Sequence, residues 1–495
     1  MRDNIFNIPV FGALLRSVWF WRIARLTTLA LTVAMIAWGW HQHAVPGLSL
    51  PDPLMYTNLT NHLFWVWWLM GIVFIALLFG RLWCSVCPLG WLNGIVSRFG
   101  LRREMPVWLR NFISVTLVLV ILQLAIYFFK LHRFPDYTAI LLTFCLLLTI
   151  GAGLLYRQRA FCLLFCPAGA VFGLYARVAP FQLRVKQPSV CAGCDSQRCV
   201  SEPQEWQKHQ LGGSVLYRHR RLDGCPVDLV PAALADSADC TFCLNCFHNC
   251  DKENIKVGFR PWLADIETGL RRSETLFFLV LFGMLTANFS KVYVELRQLL
   301  FWLPQEVAVL LGWQESGYYV LAAIWVALLL PSLLMLPGYL ILRAAAIRTT
   351  SITDPDAGPG LFVHDERSGF WSSVGQLALP MIPALLTAHA VLAIVKINAK
   401  AAYLPFALVD PSGVKSFLAM NVMQTVATPG AVISLDILKW VVLLLLIVGL
   451  FLSFLVAKKV AVRQGRPGFL PAAIVSVLIP TVCYFSTVIE WLFVR

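Results

Sequence analysis

The sequence predicts an all-α polytopic chain that crosses a membrane about nine times, with one polar segment inserted between the fourth and fifth crossings. Three observations predict it. The 495 residues are 59% hydrophobic with a mean hydropathy of +0.72, well beyond the range of soluble domains. Apolar runs near the length that a bilayer core requires recur at 26–44, 62–82, 111–129, 138–156, 273–290, 318–342, 374–395, 436–457 and 470–492. A long polar stretch at 187–262 interrupts them, dividing the chain into 1–186, 187–262 and 263–495.

Orientation follows from the cations, because short loops rich in Lys and Arg stay on the cytoplasmic side. Arg16, Arg22 and Arg25 precede the first run, Arg98, Arg102, Arg103 and Arg110 follow the second, and Arg157 and Arg159 follow the fourth. Arg343 and Arg348 follow the sixth, and Lys458, Lys459, Arg463 and Arg466 the eighth. The N-terminus and the polar segment are thus expected inside and the C-terminus outside, in a bacterial inner membrane. Lys130, Arg133, Lys396 and Lys400 fall against the rule. The net charge of +14 is accounted for mostly by these loops, and no nucleic-acid partner is expected. No cleavable signal peptide is expected either.

Fourteen cysteines on a reducing face point away from disulfides. Cys145 and Cys483 sit singly in apolar runs and read as packing. The polar segment carries Cys191, Cys194 and Cys199, then Cys225-Pro226, then Cys240, Cys243, Cys246 and Cys250. The last run has the C-x2-C-x2-C-x3-C spacing of a [4Fe-4S] loop but lacks the proline that usually follows. In a two-cluster ferredoxin the cysteine before proline ligates the other cluster. Here Cys225-Pro226 stands in that role, displaced from Cys199 by 25 residues. A ferredoxin-like domain is expected, with Cys191, Cys194, Cys199 and Cys250 on one cluster and Cys225, Cys240, Cys243 and Cys246 on the second. Cys194 and Cys199 are separated by four residues instead of two, so the first loop must bulge. Two four-cysteine zinc sites are the alternative.

A second pattern occurs twice. Residues 81–98 and 159–177 both fit R-x2-C-x2/3-C-P-x-G-x3-G-x3-R. The match aligns Arg81 with Arg159, Cys84 with Cys162, Cys87 with Cys166, and Arg98 with Arg177. Each copy follows an inward-running helix, so the first four runs form a duplicated unit. Proline suits the first helical turn, and glycines four apart (Gly90 and Gly94, Gly169 and Gly173) suit close packing. The four thiols would converge on a third centre, either an Fe-S cluster or a redox-active thiol set, unless they merely pack. The arginines would offset ligand charge or anchor the helices.

Repeated Cys-Pro motifs followed by a ferredoxin segment resemble the membrane polyferredoxins of the NapH and NosR type, with the FtrD type of iron-uptake polyferredoxin a related group. The resemblance covers residues 60 to 260. It implies an electron conduit whose ligands are the twelve cysteines of these motifs. The chain departs from the pattern in the shortened Cys84–Cys87 spacing, in lacking a flavin-binding domain, and in its extended second half.

His41, His43, His62 and His132 fall near the outer ends of the first three runs, and a metal, quinone or haem site is one reading. Bridging between apolar and wet layers is the other. His389 and Lys396, inside the seventh run, mark a polar partner or a quinone site. The expected function is a membrane-bound iron-sulfur electron-transfer protein, or an oxidoreductase subunit, between a cytosolic electron carrier and a periplasmic or membrane redox partner. The rivals are a redox-regulated metal transporter or permease subunit and a zinc-stabilised assembly scaffold.

Overall fold

The computed structural model describes residues 4–494 apart from 5, 6, 8, 46, 48–53, 158, 201–203, 212, 213, 222, 223, 268, 314, 348–369 and 467. Arg348 therefore lies outside the described residues. The chain is mostly helical. Among the described residues seven helices are long and apolar enough to cross a membrane: Val18–Gly39, Leu59–Phe79, Pro135–Leu155, Gly317–Ala345, Phe370–Val409, Leu435–Gln464 and Phe469–Val494. These fit a membrane protein. The other two expected runs form helices that fall short. Phe112–Phe128 has 17 residues, about 26 Å at 1.5 Å per residue. Arg272–Phe289 has 18 residues and carries Glu274 in its first turn.

The compact units do not follow the linear segments. One comprises 4–40, 74–110 and 138–265, and the other 41–73, 111–137 and 266–494. Every cysteine of the repeats and of the polar segment belongs to the first unit. The physical reason is a shared core. Phe181, Leu183, Phe242, Leu244, Ile255 and Val257 of the polar segment are buried with Trp21, and Phe79 and Leu82 pack against them.

Within that unit the polar segment is closed by strands. β1 (Phe181–Val185) runs just before the first cysteine. β2 (Gln204–Leu211) and β3 (Ser214–Arg221) form an antiparallel hairpin inside the 25-residue insertion. β4 (Ile255–Phe259) follows the last cysteine and pairs antiparallel with β1, from Phe181↔Phe259 to Val185↔Ile255. Asp265 accepts two hydrogen bonds from Arg184 Nη2, at 2.8 and 2.7 Å, and also pairs with Arg260. Arg260 in turn donates to the carbonyls of Ala176 and Ala179.

In the second unit Arg272–Phe289 is buried around most of its circumference, as a helix apolar on all sides must be. Phe370–Lys400 is similarly enclosed and runs through Pro380 and Pro383. The Ala384 N–H donates to Ser453 Oγ at 3.1 Å, the side-chain partner that a proline-interrupted helix recruits in lipid.

Candidate functional site

Both Cys-Pro motifs are built alike. A short helical turn, Trp83–Val86 or Ala160–Leu164, carries the first cysteine. The second cysteine, Cys87 or Cys166, is extended and precedes a helix with proline at its first turn, Pro88–Val96 or Pro167–Ala176. There proline's fixed φ is already helical and its missing N–H costs nothing. The backbone N–H two residues after each proline then reaches the sulfur: Gly169 N donates to Cys166 Sγ at 3.3 Å, and Gly90 N to Cys87. The extra residue in the second spacing lengthens its turn by one.

The two motifs exchange arginines. Arg159 Nη1 donates to the Cys84 carbonyl at 3.1 Å, and a Cβ on Gly90 would stand 3.5 Å from Arg159 Nη1 and 3.2 Å from Cys162 Sγ. Conversely, a Cβ on Gly169 would stand 3.4 Å from Arg81 Nη2. Cys84, Cys87, Cys162 and Cys166 all lie within electrostatic reach of one another. Asn93 clamps this set from within, its Oδ1 accepting from Phe161 N and its Nδ2 donating to the Thr149 carbonyl.

The glycines act differently from the expected flat packing face. Gly90, Gly169 and Gly173 keep space for the opposite arginine or for the incoming polar segment, whereas Gly94 has nothing within 4 Å. The twofold likeness also ends there. Arg177 is buried and paired with Asp236 at 2.8 Å, while its counterpart Arg98 is exposed.

Cys225, Cys240, Cys243 and Cys246 form a second set, each within electrostatic reach of the other three. They line a small pocket whose walls are otherwise mostly apolar, among them Leu183, Leu229, Pro231 and Leu234. Thr241 also lines it, and its hydroxyl is buried without a hydrogen-bond partner. Phe242 and Leu244, flanking Cys243, both have positive φ, 49° and 63°, a conformation that non-glycine residues keep only when the surroundings impose it. Burial pushes Cys225 up to about 12 and Cys240 up to about 11. A cavity with four thiols and an orphaned hydroxyl suits a cubane cluster, whose iron holds the ligands as thiolates and whose sulfides accept hydrogen bonds.

Cys191, Cys194, Cys199 and Cys250 form the third set, with Cys199 in electrostatic reach of the other three. Asn254 ties it together: its N–H donates to Cys250 Sγ at 3.3 Å and its Nδ2 to Cys191 Sγ at 3.2 Å. The longer Cys194–Cys199 loop bulges at Gln197, φ 38°. None of these four thiols is fully buried, in contrast to Cys240, Cys243 and Cys246.

A four-cysteine zinc site needs its sulfurs about 2.3 Å from one point. Among the described residues no three His, Cys, Asp or Glu side chains are grouped to hold one metal ion. Of the outer histidines, His43, His62 and His132 have ring or polar partners within the protein. His43 is paired with Asp136 at 2.9 Å and stacked on Phe134. His62 is fully buried and accepts from Trp67 Nε1 at 3.1 Å, and His132 packs edge-on against Trp65. His389 lies half-buried in Phe370–Lys400, with Lys396 exposed. Cys145 packs in the apolar cluster around Phe161 and Met105.

Sequence reasoning missed Arg25, Asn93, Thr241 and Asn254. Arg25 had the only visible signal, a cation beside a membrane helix, and that signal pointed to anchoring.

The family model described as a 4Fe-4S binding domain matches residues 61–106 and 138–186, one match on each repeat, enclosing Cys84 with Cys87 and Cys162 with Cys166. No curated protein and no solved structure matches the chain. One match to a 4Fe-4S binding domain on each repeat, together with thiols grouped in fours, supports iron-sulfur cluster binding by this chain.

Proposed function

We propose that this is a membrane-bound electron-transfer protein of the NapH and NosR kind, relaying electrons between the cytoplasmic side and a periplasmic or membrane redox partner. The observation that carries the reading is the gathering of three four-cysteine sets within one compact unit. Bound [4Fe-4S] clusters would supply reversible one-electron carriage.

The residues divide the labour by burial. The Cys191/Cys194/Cys199/Cys250 set is the most accessible, which suits exchange with a cytosolic carrier. Cys225, Cys240, Cys243 and Cys246 sit among apolar side chains that exclude water. Cys199 is within electrostatic reach of Cys246, so these two sets adjoin. Cys84, Cys87, Cys162 and Cys166 follow directly on the membrane helices and form the entry to the bilayer. Counting Phe112–Phe128 and Arg272–Phe289 as short crossings gives nine, with the N-terminus and the cysteine sets cytoplasmic and the C-terminus periplasmic. A quinone, a haem or the partner's cofactor completes the path, because a core of about 30 Å is too thick for a single transfer.

Iron and acid-labile sulfide per chain, with EPR after dithionite, test the reading on anaerobically purified protein. Three cubanes require about twelve irons, falling to about eight in Cys84→Ser/Cys162→Ser. A colourless protein containing zinc would sink the reading. Eight irons in both proteins would leave the repeat as thiols alone.

A further inference from the structure

Two guanidinium groups lie between the membrane-surface cysteine set and the buried ferredoxin set. Arg81 is 7% exposed. Its Nη1 donates to the Ala238 carbonyl at 2.6 Å, just ahead of Cys240. Its electrostatic partners are Cys84, Asp239 and Cys162, and Cys240 also feels its charge. The Arg81 Nε–H is buried without an acceptor. Arg25, from the Val18–Gly39 helix, makes a parallel link. Its Nε donates to the Ser85 carbonyl, inside the Cys84–Cys87 turn, at 2.8 Å, and its Nη2 to the Cys243 carbonyl at 3.4 Å. Thr28, one turn on, donates to the Val86 carbonyl at 2.7 Å.

A buried cation favours the more negative state of whatever centre it faces, and so raises its reduction potential. A cation between two centres raises both. Neither arginine is within reach of the Cys191/Cys194/Cys199/Cys250 set by any contact above. We propose that Arg81 and Arg25 are shared positioning residues that hold the Cys84/Cys87/Cys162/Cys166 and Cys225/Cys240/Cys243/Cys246 sets in register and raise the potentials of both together. The inference rests on the proposed iron-sulfur reading and adds a shared electrostatic control of two of its centres.

Repeat symmetry obscures this role. Arg81 and Arg159 are equivalent in sequence, yet only Arg81 reaches the segment ahead of Cys240. Arg159 turns instead to the Cys84 carbonyl, and its backbone N–H is held by the Pro226 carbonyl at 3.1 Å.

EPR-monitored redox titration of the full chain in detergent, with iron counted on every sample, tests the proposal. In Arg81→Gln the potentials of two centres should fall together while the third stays in place. Arg81→Lys should restore most of that shift by returning the charge, and Arg98→Gln, at the exposed arginine that ends the first repeat, should move nothing. If Arg81→Gln sheds iron, Arg25→Gln carries the same test from the other side of the junction, with the same paired fall expected. Full iron with unmoved potentials, or movement of one centre alone, overturns the proposal. Absence of iron from the wild type instead overturns the iron-sulfur reading beneath it.

Discussion

Gly173 and Ala238 approach so closely that a Cβ on the glycine would stand 2.8 Å from the Ala238 carbonyl oxygen. Gly94, at the same place in the first repeat, has nothing within 4 Å. At this position the polar segment therefore packs on the helix of the second repeat and not on that of the first. Gly94→Ala should leave iron content and melting temperature unchanged, and the helix propensity of alanine favours it slightly. Gly173→Ala must push backbone against backbone, at a cost of about 1–3 kcal/mol. A lower melting temperature for Gly173→Ala alone is the expected result; equal melting of the two variants would contradict the asymmetric docking.

Asn254 holds the exposed cysteine set by two donors to sulfur and a third hydrogen bond to the Gln187 carbonyl at 2.7 Å. Asn254→Ala removes the side-chain pair, and hydrogen bonds to charged groups contribute about 1.5–3 kcal/mol each. Under mild chelation the variant should stop at about eight irons while wild type retains its full complement. Chelation curves that superimpose would deny Asn254 this role.

Thr241 lines the Cys225/Cys240/Cys243/Cys246 pocket, and its hydroxyl is buried. Thr241→Val keeps the shape and removes the donor. One potential should fall by the equivalent of about 1 kcal/mol, the net worth of a neutral hydrogen bond, with iron content unchanged. Redox titration reads it, and an unmoved potential places the hydroxyl away from the centre.

The apoprotein should be alkali-sensitive. Burial raises Cys225 to about 12 and Cys240 to about 11, so the folded state favours the protonated thiols. That contribution is fully present below the unfolded thiol value near 8.5 and is lost as pH rises through about 11 to 12. Melting of the chelated protein should drop between pH 8.5 and 11, and cluster reconstitution should release protons. Apoprotein with a flat melting profile across that window would show that these thiols are not buried in the absence of iron.

The groupings legible in the sequence were those set by local spacing. Cysteines at i, i+3 and i+6 must lie on one loop, and the displaced Cys225-Pro226 could be matched to Cys240, Cys243 and Cys246 by pattern alone. The pairing of Cys84 and Cys87 with Cys162 and Cys166 was legible through repetition. For the histidines, position along apolar runs says nothing about which way helices turn their side chains: His43 faces Asp136, and His62 faces Trp67. Two of the nine runs form a shorter or less apolar helix, Phe112–Phe128 with 17 residues and Arg272–Phe289, which opens on charged side chains.

By itself the sequence determined the apolar helices, the proline-started turns after each cysteine pair and the loops that carry three cysteines, because each follows from chemistry within a few residues. Only the tertiary structure decided that Arg159 reaches across to Cys84, that Gly173 and not Gly94 receives the polar segment, and that Arg81 and Arg25 lie between two cysteine sets. Those relationships join positions tens to hundreds of residues apart, and they arise from burying Trp21, Phe79 and Leu82 against the polar segment's core, a packing that no local pattern encodes.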